Sequence, residues 1–175
     1  MPVFRPFLPV LATFLFLLPA VAPRADQASE NSLKAGFVYN FAKYTEWPSE
    51  DGPQLVVCAL GRNALDGQLA LLHGRRIGER QLEVRLQAGS SSWRHCDLLF
   101  IAQEDGERAA QAVRSLVGLP VLTVGDIPGF ALLGGHIELH ENERRLQFEI
   151  NLGAAQRAGL KLSSQMLKLA TRVRP

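Results

Sequence analysis

Four groups of residues in this sequence have types and spacings that could do chemistry. His136, Glu138 and His140 form an H-x-E-x-H run. In an extended strand alternate side chains share a face, so the three could converge on a metal ion. The competing reading is an ordinary solvent-facing strand side, with Ile137 and Leu139 turned to the core. Cys58 and Cys96 are the two cysteines of the chain. Residues 125–135 include four glycines, which could cradle a phosphate or simply make turns. Carboxylates adjoin at Glu104–Asp105 and Glu141/Glu143, in stretches that read as loops or turns, where they suit solvated charge better than an acid–base pair.

Several familiar constellations are missing. The sequence contains no GxxxxGK[ST] loop, no GxGxxG after a strand, no GxSxG, no HExxH and no CxxC. No nucleophile–base pair is legible, so the expectation is a protein without enzymatic activity and without a cofactor. Charge excludes another class. Of 19 basic residues, Arg5 and Arg24 fall in the leader described below, which leaves equal numbers of acidic and basic side chains from Asp26 onward. That balance lacks the basic footprint of a nucleic-acid binder.

The leader sets the expected compartment. Arg5 precedes an uncharged apolar run, residues 8–18, and Ala20-Val21-Ala22 has the small-x-small form of a cleavage site. The run is shorter than the ~20 residues that span a bilayer. Residues 1–25 therefore read as a cleaved signal peptide and residues 26–175 as one exported domain, periplasmic in a bacterium. In that oxidising compartment the two cysteines are expected to pair as Cys58–Cys96. Such a bond is either a plain staple or a redox-sensitive one.

The elements that must position these residues follow from periodicity. Residues 29–47 read as a helix, with Leu33, Phe37, Phe41 and Tyr44 at spacings of three and four. Residues 54–60 (QLVVCAL) and 97–102 (DLLFIA) are short apolar runs of the kind buried in a parallel sheet. Residues 63–72 have a helical pattern in Leu65, Leu69 and Leu72. Residues 81–87 (QLEVRLQ) alternate like a strand with one wet face. Residues 107–117 read as a helix with Ala110, Val113, Leu116 and Val117 inward, and residues 120–124 as a strand. Residues 136–140 and 144–151 read as two strands of a hairpin, followed by short helices over 152–158 and from Ser163 or Ser164 onward. The fold class is α/β: a single layered domain with a mixed, mostly parallel sheet flanked by helices and an antiparallel hairpin near the C-terminal part.

Several segments, in this order and spacing, carry a resemblance. They are residues 34–48 (KAGFVYNFAKYTEWP), 57–61 (VCALG), 95–101 (HCDLLFI), 123–126 (TVGD) with Gly129 and Phe130, 134–137 (GGHI), 148–151 (FEIN) and 160–164 (LKLSS). Together they resemble the YfiR-like family of exported bacterial proteins across nearly the whole chain after the leader. The resemblance implies a periplasmic regulator that binds the periplasmic domain of a membrane-anchored diguanylate cyclase or similar signalling protein. Such a regulator holds the cyclase inactive and so lowers cyclic di-GMP and biofilm formation. It also implies the Cys58–Cys96 pair and redox tuning through it. Prototype members carry a second cysteine pair further along; this chain has no cysteine after Cys96. For the partner surface the candidates are Phe130, Leu132 and Leu133 in the glycine-rich loop, and Glu149, which alternates with Phe148 and Ile150. A homodimer is left open. The alternative function is a periplasmic small-molecule or metal-binding module, with His136, Glu138 and His140 as the metal set.

Overall fold

Runs of Val, Leu, Ile and Phe with no polar interruption can only be strands if both faces are covered, and that requirement organises the molecule. The computed structural model describes residues 24–49, 52–61 and 64–175. The signal-peptide reading of the leader lies, but for its last two residues, outside them. In chain order the elements are α1 (Arg24–Lys43), β1 (Thr45–Glu46), β2 (Gln54–Leu60), β3 (Arg76–Ile77), β4 (Arg80–Arg85), β5 (Leu98–Ile101), α2 (Gly106–Leu116) and β6 (Leu122–Gly125). They continue with β7 (Ile137–Asn142), β8 (Arg145–Asn151), α3 (Leu152–Arg157), β9 (Lys161–Leu162), α4 (Ser164–Leu169) and β10 (Arg172–Arg174).

Eight strands form one sheet in the order β10-β8-β7-β6-β5-β2-β4-β3, while β1 and β9 pair separately. The pairings β2/β4, β2/β5, β5/β6, β6/β7 and β8/β10 are parallel; β3/β4 and β7/β8 are antiparallel. The expected mixed, mostly parallel sheet with a C-terminal hairpin is what forms. The hairpin turns through Glu143 and Arg144, both with positive φ (51° and 60°). A two-residue turn of that hand matches the natural twist of the flanking strands.

Side chains alternate between two cores. Leu55, Val57 and Ala59 of β2 join Leu98 and Phe100 of β5 beneath α1, together with Phe148 and Ile150 of β8. Cys58 and Leu60 join Leu99 and Ile101 on the other face, under Ala109, Ala112, Val113 and Leu116 of α2. The spacing 109, 112, 113, 116 is a single helical stripe. It places Val117 just beyond the helix end, where it is exposed rather than inward as expected.

Asp97 ties the N-terminal ends of the central strands. Its carboxylate accepts from the Val56 N–H (2.7 Å) and from Arg80 (3.1 Å), and its carbonyl accepts from the Trp47 indole (3.0 Å). At the opposite end Lys34 of α1 bridges Glu30 and Asp126, each at 2.8 Å, pinning the helix over the end of β6.

Two expected helices differ. The first ends at Lys43; Trp47 lies beyond it, just after β1, and Leu33 is exposed. Residues 63–72 do not form an α-helix: two 3-10 turns, Ala64–Gly67 and Ala70–Leu72, replace it, with Leu65 and Asp66 left-handed. The Asn31 amide holds the Asp66 carboxylate at 2.8 Å, and the turns still bury Leu65, Leu69 and Leu72. The leucine pattern reported burial correctly and the backbone incorrectly.

Candidate partner-binding surface

The strand carrying His136, Glu138 and His140 has no wet face over its first half. Ile137 and Leu139 enter the α1-side core, and residues 126–135 cover the other face, so His136 and Glu138 are buried as well. Their polar atoms are already used. His136 Nδ1 accepts from the Thr123 N–H (3.0 Å), and Thr123 Oγ1 accepts from the His136 N–H (3.0 Å). The Glu138 carboxylate accepts from the backbone N–H groups of Gly129 (2.9 Å) and Ala131 (3.0 Å). The metal reading of this triad is therefore corrected: Glu138 is a strut that holds the covering loop, and His136 ties the start of the strand to Thr123 of β6. Among the described residues no three His, Cys, Asp or Glu side chains meet as a metal site.

A buried neutral histidine has a pH consequence. Burial pushes the His136 imidazole down to about 4, against hydrogen bonding to the Ala154 and Val121 backbone and with the Arg157 charge adding to the depression. The unfolded chain takes up this proton near pH 6.5 and the folded chain does not. Stability from this group is therefore complete above about pH 6.5 and is lost as pH falls toward 4, by about 3 kcal/mol in total. Urea unfolding followed from pH 7 to pH 4 should show that fall, and His136→Gln should flatten much of it. An unchanged slope in the variant would remove His136 as the cause.

Phe130, expected on the surface, is fully buried. Its ring lies flat against two glycines: a β-carbon at Gly135 would come 2.2 Å from it, and one at Gly125 2.9 Å. The glycines of this loop make room for an aromatic ring, not for a phosphate. Leu132 and Leu133 are exposed (71% and 52%), on a loop anchored by Glu138 and by the Asn151 amide on the Ala131 carbonyl. Glu149 is engaged within the chain. It bonds Arg174 at 2.8 Å and lies 3.6 Å from Arg172, within the β8/β10 pair. Of the four surface candidates, Leu132 and Leu133 stand in solvent, Phe130 is core, and Glu149 is engaged at home.

A larger surface feature lies on the α1 side. Phe37, Phe41 and Phe148 form a cluster with ring centroids 5.0–5.8 Å apart. They floor an open groove of about 510 Å³, with Tyr44, Met166 and Leu169 completing the apolar walls and Asn40, Gln165 and Lys168 at the polar positions. The helical spacing 37, 41, 44 makes one wall; α4, capped by Ser163 on the Met166 N–H (3.2 Å), makes the other. Leu169 stands 74% exposed at the rim. Read as core from their spacing, Phe41 and Phe148 are indeed buried, while Phe37 is covered only in part. A stripe covered only in part has the same period as one covered fully, so no signal separated the two.

A family model for YfiR/HmsC-like proteins matches residues 31–171 of this chain. The chain belongs to the YfiR/HmsC-like family. That family is regulatory and periplasmic, and it points to interaction with a signalling partner. Two solved structures share the fold of this YfiR-like chain. One is a conserved domain protein from Vibrio cholerae O1 biovar El Tor (TM-score 0.56, 9% identity). The other is an ABC domain from Streptococcus pneumonia in complex with L-Trp (TM-score 0.54, 8% identity). Each match covers 82% of this chain and 60% of the other, so the YfiR-like chain spans about three-fifths of their length.

The YfiR-like disulfide joins Cys58 of β2 to Cys96 just before β5, with Cα atoms 5.9 Å apart. Because β2 and β5 are adjacent parallel strands, the bond stitches the centre of the sheet. Both cysteines are buried. No described helix of this YfiR-like protein is long and apolar enough to cross a membrane.

Proposed function

We propose that this YfiR-like protein is exported through its N-terminal leader and represses an inner-membrane diguanylate cyclase by binding the cyclase's periplasmic domain. The observation that carries the reading is the open aromatic groove between α1 and α4. A 150-residue domain with a well-filled interior has no folding reason to leave Leu169 exposed beside a half-covered Phe37 and Tyr44. Occupying a partner needs no catalytic groups, only a shaped apolar surface with polar flanks. Leu132 and Leu133 supply a second apolar contact on the opposite sheet face. The protein would favour the inactive arrangement of the cyclase in proportion to its differential affinity for it.

Cellular cyclic di-GMP measured in a deletion strain tests this. We expect a rise that the wild-type gene reverses and that Leu169→Asp reverses poorly; position 169 is exposed, so the variant should fold. Unchanged cyclic di-GMP across growth conditions would end the repressor reading. A second reading draws on the groove's volume, which falls in the range of small-molecule sites. The likeness to the L-Trp complex is one of fold alone. A shift in melting temperature with added L-tryptophan, abolished by Leu169→Asp, would favour this alternative.

A further inference from the structure

The overall charge balance conceals a segregation. Residues 144–175 carry seven basic side chains (Arg144, Arg145, Arg157, Lys161, Lys168, Arg172 and Arg174) and a single acidic one, Glu149. This stretch comprises β8, α3, β9, α4 and β10, so it supplies Phe148 to the groove floor and the whole α4 wall. The one ionisable side chain among the groove's α4 and β8 lining residues is Lys168. On the α1 wall Lys43 sits over the Tyr44 ring, 5.3 Å from its centroid. The lone acid of the stretch is already spent, since Glu149 pairs with Arg174 and Arg172. The groove is thus apolar along its floor, with one cation, Lys168, in the α4 wall and a second, Lys43, beside Tyr44 of the facing wall, in a chain whose remainder is net acidic.

We infer that the occupant of this groove is an acidic amphipathic helix of the protein partner, an inference that rests on the groove being the partner-facing surface. The shape selects the helix. A concave trough floored by three phenylalanines accepts large side chains at positions i, i+3 or i+4, and i+7 of one helical face. A flat lipid surface would meet the rim residue Leu169 without reaching the recessed Phe41 and Phe148. The charge selects the sign. Glu or Asp residues flanking that apolar face would meet Lys43 and Lys168, steering the encounter and setting orientation more than adding affinity. A second copy of this chain offers the same cationic flank, so self-association through the groove would set like charges together.

Photo-crosslinking in intact cells tests the inference. Leu169 is replaced by p-benzoyl-phenylalanine, the adduct is isolated from the envelope, and the joined segment is mapped by mass spectrometry. The same replacement at Leu132 serves as a reference surface. The expected adduct at position 169 is a protein segment with apolar residues at helical spacing and net negative charge. The pair Lys43→Glu with Lys168→Glu should cut its yield by roughly tenfold, and Lys43→Arg with Lys168→Arg should preserve it. An adduct to lipid, to a second copy of this chain or to a basic or non-helical segment would overturn the inference, as would no adduct at 169 while 132 crosslinks. An acidic helix from a protein that is not a cyclase would keep the inference and end the cyclase reading. A cyclase captured only through 132 would do the reverse.

Discussion

Replacing both cysteines, Cys58→Ala with Cys96→Ala, should lower the free energy of unfolding by about 4 kcal/mol. The bond closes a loop of 38 residues, and holding that loop shut in the unfolded chain removes entropy that the variant regains. Urea denaturation at pH 7 reads the difference directly. A loss under about 1 kcal/mol would mean that the sheet centre holds without its stitch. The magnitude bears on function. A domain with roughly 5–15 kcal/mol of stability stays mostly folded after losing 4, so on the proposed reading repression should fall chiefly through faster degradation. The same burial decides between the two roles of the bond. Cys58 and Cys96 are out of reach of solvent, so a reductant must wait for the sheet to open. Burial supports the staple, and it makes any redox control slow and dependent on unfolding.

Phe130→Ala should cost about 3–5 kcal/mol, the range for emptying a fully buried aromatic site. The ring fills the space under residues 126–135 and has two glycines for a bed. Gly135→Ala alone should cost about 1–3 kcal/mol, because its methyl group would collide with that ring. In the Phe130→Ala background the same methyl has room, so the two penalties should fall well short of adding. Full additivity in a double-mutant cycle would deny the contact. The functional corollary is specific: Phe130→Ala should also loosen the loop that displays Leu132 and Leu133, whereas Leu132→Asp should leave stability nearly unchanged.

Much of the architecture was legible because burial on both faces leaves a plain mark. QLVVCAL and DLLFIA read as central strands, and so they are, adjacent and parallel, with Cys58 and Cys96 close enough to bond. The hairpin was legible from alternation on both sides of a polar turn. The short strands β1, β3, β9 and β10 were not, since two or three residues contain no period to detect. Residues 63–72 misled for the opposite reason. Leucines at helical spacing say which side is buried, and two 3-10 turns can present the same side.

The functional surface divides along the same line. Residue types alone established a chain of strong apolar patterning with two cysteines and no recognisable catalytic motif, and the order of its segments established the family. Which residues meet solvent was a matter of tertiary arrangement. Phe130 and Leu132 lie two positions apart in one glycine-rich loop, yet one is core and the other fully displayed. His136 and Glu138 look like ligands until Thr123 of the neighbouring strand takes the first and the backbone of residues 129–131 takes the second. Phe41 and Phe148 are interior as their spacing suggests, yet Phe37 beside them stays partly covered at the open groove between α1 and α4. Periodicity is a property of one element, whereas exposure depends on what a distant segment covers. No local pattern carries that information.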